Sequence, residues 1–153
     1  MQEPASTTRG TVLVAAQLSL IALLGVAAAP AFLQGQAPLA AWAMAALGAA
    51  LGLWALASNR PGNFNIRPVP RQGGQLIRSG PYRHIRHPMY SAVIACGMSC
   101  AMALASAWSV LALLVLIGVL MVKASVEEQA MVRVHPDYAD YQARTRRFLP
   151  GIY

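Results

Sequence analysis

The stretch Arg78-Ser79-Gly80-Pro81-Tyr82-Arg83-His84-Ile85-Arg86-His87-Pro88-Met89-Tyr90 decides how this chain is read. Three arginines and two histidines crowd into it, and the chain turns apolar at Met89. From Pro88 to Val122 there is no Asp, Glu, Lys or Arg, and from Gly10 to Ser58 there is none either. About 20 residues of helix cross the hydrocarbon core of a bilayer. Backbone facing lipid must satisfy its own hydrogen bonds, so both blocks are expected to be helical. The basic stretch then becomes a mouth at the membrane surface. It can meet an anionic, water-soluble ligand while its neighbours hold a lipid-soluble one.

Composition supports this placement. The 153 residues are 57% hydrophobic and only 11% charged, where soluble domains carry about 25% charged residues. The net charge of +7 does not signal a nucleic-acid partner, because the basic residues flank membrane spans. Cys96 and Cys100, one turn apart, read as buried small hydrophobes. They imply neither a metal site nor a disulfide framework. The apolar segment after Arg9 is longer than a signal-peptide core and reads as a retained span.

The fold expected is all-α: a polytopic integral membrane protein forming one domain over 1–153. It has four transmembrane helices at about 11–33, 38–57, 88–105 and 109–122, a loop at 58–87 and a tail at 123–153. Pro30 falls where a proline stops or kinks the first span. Gln17 is that span's strongly polar side chain and is expected to bond a neighbouring helix. Gln34-Gly35-Gln36 is a tight turn. In span two, Gly48 and Gly52 form a small-residue face with Ala45 and Ala49 beside it. That face serves close helix packing and could serve a homodimer. Trp42 and Trp54 suit the two interfacial belts. Pro88 suits the first position of span three. Span four can continue through Lys123 and Glu127, His135-Pro136-Asp137 breaks it, and Tyr138, Tyr141 and Arg144 fall at helical spacing in a short helix beyond. All 12 Lys and Arg lie in the N-terminal tail, the loop or the C-terminal tail. Four crossings put these on one side, which the positive-inside rule makes cytoplasmic. The chain is therefore assigned to a bacterial inner membrane with both termini in the cytoplasm.

The loop and tail together carry chemistry. Gly73-Gly74 and Ser79-Gly80-Pro81 are turns that present backbone N–H groups. His87 and Tyr90 share a face on the first turn of span three, a helix N-terminus suited to a carboxylate. Glu127 and Glu128 end span four. An antiparallel hairpin of spans three and four brings these ends to one membrane depth.

Ser79-Gly80-Pro81-Tyr82 followed by Arg86-His87-Pro88-Met89-Tyr90 resembles the G-x-Y-x-x-x-R-H-P-x-Y motif of the isoprenylcysteine carboxyl methyltransferase family. Glu127-Glu128 looks like that family's paired glutamates. Tyr138-Ala139-Asp140-Tyr141 and Arg147-Phe148-Leu149-Pro150-Gly151 look like its closing segments. The resemblance covers about the last half of the chain. It implies an integral-membrane methyltransferase using S-adenosylmethionine, with an isoprenylcysteine-type carboxylate the acceptor most similar by family. Cofactor positions carry over to Gly74, Gln75, Leu76, Ile77, Tyr82, His87, Pro88, Met89, Tyr90 and Glu127. Substrate positions carry over to Lys123, where the family has Arg, and to Arg144.

Transfer from a sulfonium is an in-line displacement, so positioning and exclusion of water are the protein's main tasks. A carboxylate or thiolate acceptor needs no base. An amine would need one, and His87 and Glu128 are the candidates. The partners expected are a lipophilic or lipid-linked substrate and membrane lipids. Phospholipid, amine and thiol acceptors stay open. So do an NADPH-dependent membrane reductase and a non-catalytic protein binding anionic lipid through its basic loop.

Overall fold

A computed structural model describes residues 4–59 and 76–151. Every regular element among them is helical: α1 (Pro4–Leu33), α2 (Leu39–Ser58), a 3₁₀ turn (Gly80–Arg83), α3 (Pro88–Leu104), α4 (Ala107–Val134) and α5 (Tyr138–Arg144). The all-α expectation holds. Gly74 and Gln75, and the loop arginines Arg60, Arg67 and Arg71, lie outside the described residues.

Three helices, α1 from Thr8, α2 and α4, are long and apolar enough to cross a membrane. The third expected span is the exception. Its 17 residues in α3 reach only about 25 Å at 1.5 Å per residue, short of a roughly 30 Å core. Large apolar side chains point outward around the bundle, among them Val26, Leu33, Leu39, Leu53 and Leu111. So broad an exposed apolar surface is a liability in water and the expected state in lipid.

Local chemistry sets the ends of the helices. Pro30 does not stop α1, which runs on to Leu33. The chain then turns through Gly35 at φ +68°, with Gln36 N–H and Ala37 N–H both donating to Ala31 O. Glycine takes this left-handed conformation without steric cost. Phe32 and Trp42 pack edge to face across the turn at 4.9 Å. Between α3 and α4 the turn is shorter than expected and α4 starts at Ala107. Ala105 carries the reversal at φ +45°, and Ser109 Oγ donates to Ser106 O at 2.8 Å.

Helix α4 is one continuous rod of 28 residues. No proline or glycine interrupts it after Gly118 until Pro136 disfavours helix at His135. Counted from Ala107, Lys123 lies ~24 Å along the rod, inside a hydrocarbon core, and Glu127 ~30 Å, at its edge.

Helix α3 lies at the centre, packed on α1, α2 and α4, and its closest association is with α2. A Cβ on Gly48 would sit 2.7 Å from Cys96 Sγ and 3.0 Å from Ala92 O, so the two backbones touch where a side chain would not fit. Gly52 faces Ala92 Cβ, and Ser99 Oγ donates to Ala41 O at 2.6 Å. Gly48 and Gly52 of the small-residue face of α2 are thus packed on α3 of the same chain. The expected burial of the cysteines is corrected too. Cys96 is exposed and Cys100 half-buried, both as free thiols. Cys96 Sγ lies beside Gly48 of α2, and Cys100 packs against the core between α1, α3 and α4. The apolar core between α1, α3 and α4 holds Leu24, Ala112, Leu116 and Leu120, with Tyr90, Val93 and Ile94 against it.

Candidate active site

At the polar end of the bundle the 3₁₀ turn docks on the end of α2. Gly80 has φ +56°, and a Cβ there would collide with Ser58 Oγ and approach Trp54 Nε1 to 3.2 Å. Pro81 follows and is buried. This seats Tyr82 and delivers the chain to His87. Pro88 opens α3, where its missing N–H costs nothing.

The C-terminal tail returns beside the same segment. Arg146 N–H donates to His84 O, Arg86 N–H to Arg146 O at 2.8 Å and His87 N–H to Arg147 O at 3.1 Å, a short parallel bridge. Ser91 Oγ donates to Phe148 O at 2.7 Å, and Tyr141 OH donates to Tyr82 O at 2.7 Å. The tail therefore takes the His87 N–H. The anion-binding corner expected at the start of α3 is partly filled by the protein itself.

Two adjacent glutamates receive different treatment. Glu128, its side chain 5% exposed, accepts from Arg86 Nε at 2.8 Å and from Arg147 Nη2 at 2.7 Å. It also meets His87 Nε2 at 3.1 Å and Gln142 Nε2 at 3.3 Å. Arg86 continues to Thr145 O at 2.6 Å and Gln142 O at 3.2 Å. Three parts of the chain are thereby tied at one carboxylate. Glu127, 21% exposed, accepts from Tyr90 OH through Oε1 and faces His87 Nδ1 through Oε2 at 3.4 Å.

His87 thus has a carboxylate on each ring nitrogen, and its ring stacks on Tyr90 at 5.3 Å with 2° between planes. Burial would lower its pKa, but the hydrogen bonds and charges of Glu127 and Glu128 outweigh that and raise it. A ring that donates from both nitrogens is an imidazolium. Burial, then the Glu127 charge, pushes the Tyr82 phenol up, so this side chain shares the Glu127 field. Phe148 closes the group against His87 and Tyr90 at 6.0 and 6.4 Å.

Below this, Lys123 is 2% exposed. Its Nζ donates to Gln17 Oε1 of α1 at 2.6 Å and lies 5.1 Å from the Tyr90 ring centroid. A lysine inside a span is expensive and usually functional.

Of the sequence-derived positions, Tyr82, His87, Tyr90, Lys123, Glu127 and Glu128 come together here. Pro88 is buried and Met89 half-buried on the same first turn of α3. Leu76 and Ile77 are half-buried in irregular chain leading to Arg78. Arg144 is exposed in the last turn of α5 and joins none of the hydrogen bonds that build the cluster. Sequence reasoning missed Arg86, Gln142 and Arg147 as partners of Glu128, and Thr145 as a partner of Arg86. The one available signal was an invitation to pair: two acids among many arginines.

A membrane-embedded helical bundle with a basic, aromatic and acidic cluster at one end defines an enzyme of the lipid bilayer. The chain belongs to the phospholipid methyltransferase family, which it matches over residues 37–137. That family comprises integral-membrane S-adenosylmethionine methyltransferases related to the isoprenylcysteine carboxyl methyltransferases. The comparisons found no match among curated proteins or solved structures. The protein is a membrane methyltransferase, which sets aside the reductase and non-catalytic readings.

Proposed function

We propose that the chain methylates the amine of a phospholipid headgroup, with S-adenosylmethionine held at His87, Tyr90, Tyr82 and Glu127. The observation that carries this is the partly open Glu127 carboxylate, braced by Tyr90 OH and His87 Nδ1 at the edge of the bilayer. The donor set fits the cofactor: a carboxylate for its ammonium, and aromatic rings for its sulfonium. When bound, the cofactor supplies the methyl group, its S–C bond breaking with the electron pair to sulfur as the N–C bond forms. Pro88, Met89, Leu76 and Ile77 are proposed as apolar wall, and Gly74 and Gln75 keep the cofactor role that their sequence suggests.

The family match favours the amine of a phospholipid headgroup over an isoprenylcysteine carboxylate as acceptor. Lys123, one turn below Glu127 at ~6 Å, suits the phosphate of the same headgroup. A zwitterionic headgroup presents its two charges at comparable spacing. Before attack, the headgroup ammonium releases one proton to solvent at the polar end of the bundle, freeing the nitrogen lone pair. His87, through Nδ1, braces Glu127. Glu128, engaged by two guanidiniums, anchors the tail rather than serving as a base, and Arg144 is left to the surface. The basic residues at this end support, by the positive-inside rule, a cytoplasmic side of an inner membrane for it and for both termini.

The test is incubation in nanodiscs with methyl-labelled cofactor and, separately, an amine phospholipid and an isoprenylcysteine carboxylate. Label should appear on the amine. Glu127→Gln should weaken cofactor binding about tenfold, ~1.4 kcal/mol. Label confined to the carboxylate, or parent-like behaviour of Glu127→Gln in binding and transfer, defeats the assignment.

A further inference from the structure

Helix α5 lies beyond the matched segment, which ends at residue 137. Yet one of its side chains reaches back 59 residues to the 3₁₀ turn, where Tyr141 OH donates to Tyr82 O at 2.7 Å. We propose that Tyr141 is a positioning residue that aims the Tyr82 ring at the cofactor by holding the Tyr82 carbonyl. The inference rests on the assignment of Tyr82 to the S-adenosylmethionine site proposed above.

The 3₁₀ turn does not satisfy the Tyr82 carbonyl by itself. The N–H groups of His84 and Ile85 both donate to Pro81 O at 3.1 Å. Among the described residues, the hydrogen-bond partner of Tyr82 O is the Tyr141 hydroxyl. On the other side of the same Cα, Tyr82 N–H donates to Ser79 O at 3.2 Å. Both peptide planes that flank Tyr82 are thereby held, and together they set the direction of its Cα–Cβ bond. A 3₁₀ turn of four residues has poor internal bond geometry and needs such outside support. Tyr82 is half-buried, so its ring can still meet a ligand. Cation–π attraction needs the face of that ring and is lost when the face turns aside.

Tyr141 is a firm support. It is 6% exposed. Its N–H donates to Asp137 O at 3.2 Å, and its carbonyl accepts from Thr145 Oγ at 2.6 Å. Thr145 O accepts in turn from Arg86, which Glu128 holds. The ring packs edge to face on Tyr138 at 5.7 Å, and the Arg78 guanidinium lies over it at 5.9 Å. The hydroxyl is therefore a fixed point on the tail, from which the turn takes its register. Phenylalanine keeps the ring contacts and the backbone bonds and removes the hydroxyl alone.

The test is a double-mutant cycle. S-adenosylmethionine is titrated into nanodiscs carrying the parent, Tyr141→Phe, Tyr82→Ala and the double variant Tyr82→Ala/Tyr141→Phe. Tyr141→Phe should weaken binding about fivefold, the scale of one lost hydrogen bond. Tyr82→Ala should weaken it at least as much. The double variant should stay within twofold of Tyr82→Ala, since no ring remains to be aimed. In turnover, Tyr141→Phe should raise the KM of the cofactor and leave that of the amine phospholipid within twofold of the parent, a split that a purely structural role does not produce. Parent-like binding by Tyr141→Phe, whatever its melting temperature, overturns the proposal. So does a double variant in which the two losses multiply, because Tyr141 then acts by a route other than the Tyr82 ring. Parent-like binding by Tyr82→Ala overturns this inference alone and leaves methyl transfer standing, whereas a parent that binds no cofactor overturns both.

Discussion

The seam between α2 and α3 and the clasp at the polar end of the bundle are held by opposite means. The seam has almost no charge and works by fit: Gly48 against Cys96 and Ala92, Gly52 against Ala92, and one hydroxyl bond from Ser99 to Ala41 O. The clasp works by charge at its centre, with Arg86, Arg147 and His87 around Glu128. In lipid, helices gain nothing by hiding apolar surface from their surroundings, so close fit and polar bonds must do the holding. The seam tolerates small chemical changes that preserve volume. The clasp tolerates none that leave a charge unmatched.

The largest effect should come from cutting the clasp. Glu128→Ala strands two largely buried guanidiniums, and breaking a buried pair in this way costs about 3–5 kcal/mol. Thermal unfolding in nanodiscs should show it, with early proteolysis after Val134. Glu127→Gln, one residue away, should leave thermal stability nearly unchanged while lowering cofactor affinity. Equal losses of stability in both variants would erase the distinction between them.

The seam should respond next. Gly48→Val pushes a side chain into Cys96 Sγ and Ala92 O, and overpacking of this kind costs about 1–3 kcal/mol. Cys96→Ala in the same chain should recover part of that loss, which the melting temperature would report.

A smaller test is pH, which should move the clasp and leave the seam alone. The folded-state pKa of His87 is raised by its two carboxylates once the opposing effect of burial is overcome. Its contribution is complete below the unfolded value of about 6.5 and is lost as pH climbs through the raised folded value. Exchange protection of the tail amides should therefore fall as pH rises through that value, while protection of the α2 amides holds steady. His87→Gln should flatten the dependence. The smallest effect belongs to the reversal at Ala105. Glycine there relieves a left-handed alanine and should stabilise by about 1 kcal/mol, visible as a small rise in melting temperature.

The helices were legible because their signals are local. A run without charge from Gly10 to Ser58 must be apolar helix and turn whatever surrounds it, and Pro88 marks a start from its own covalent structure. The length of α4 was half legible, since no breaker stands between Lys123 and Pro136. The clasp was not, because Arg86 and Glu128 meet across 42 residues and Arg147 and Glu128 across 19. Neither pair belongs to a repeating pattern. The choice between the two glutamates shows the same limit. Adjacent, identical side chains on a helix point about 100° apart, and only the neighbours on each side separate an anchor from an open carboxylate. Lys123 and Gln17 each stood out alone, but their meeting depended on how α1 leans against α4.

The short reach of α3 bears on how a lipid arrives. Beside companions that span the full bilayer, a rod roughly 5 Å too short draws the surface of the leaflet inward at its end, because lipids thin to match a short apolar wall. An amine carried on a diacyl tail then stands level with Tyr90 and Glu127 while its chains remain in the leaflet, and no lipid need be lifted out to be modified.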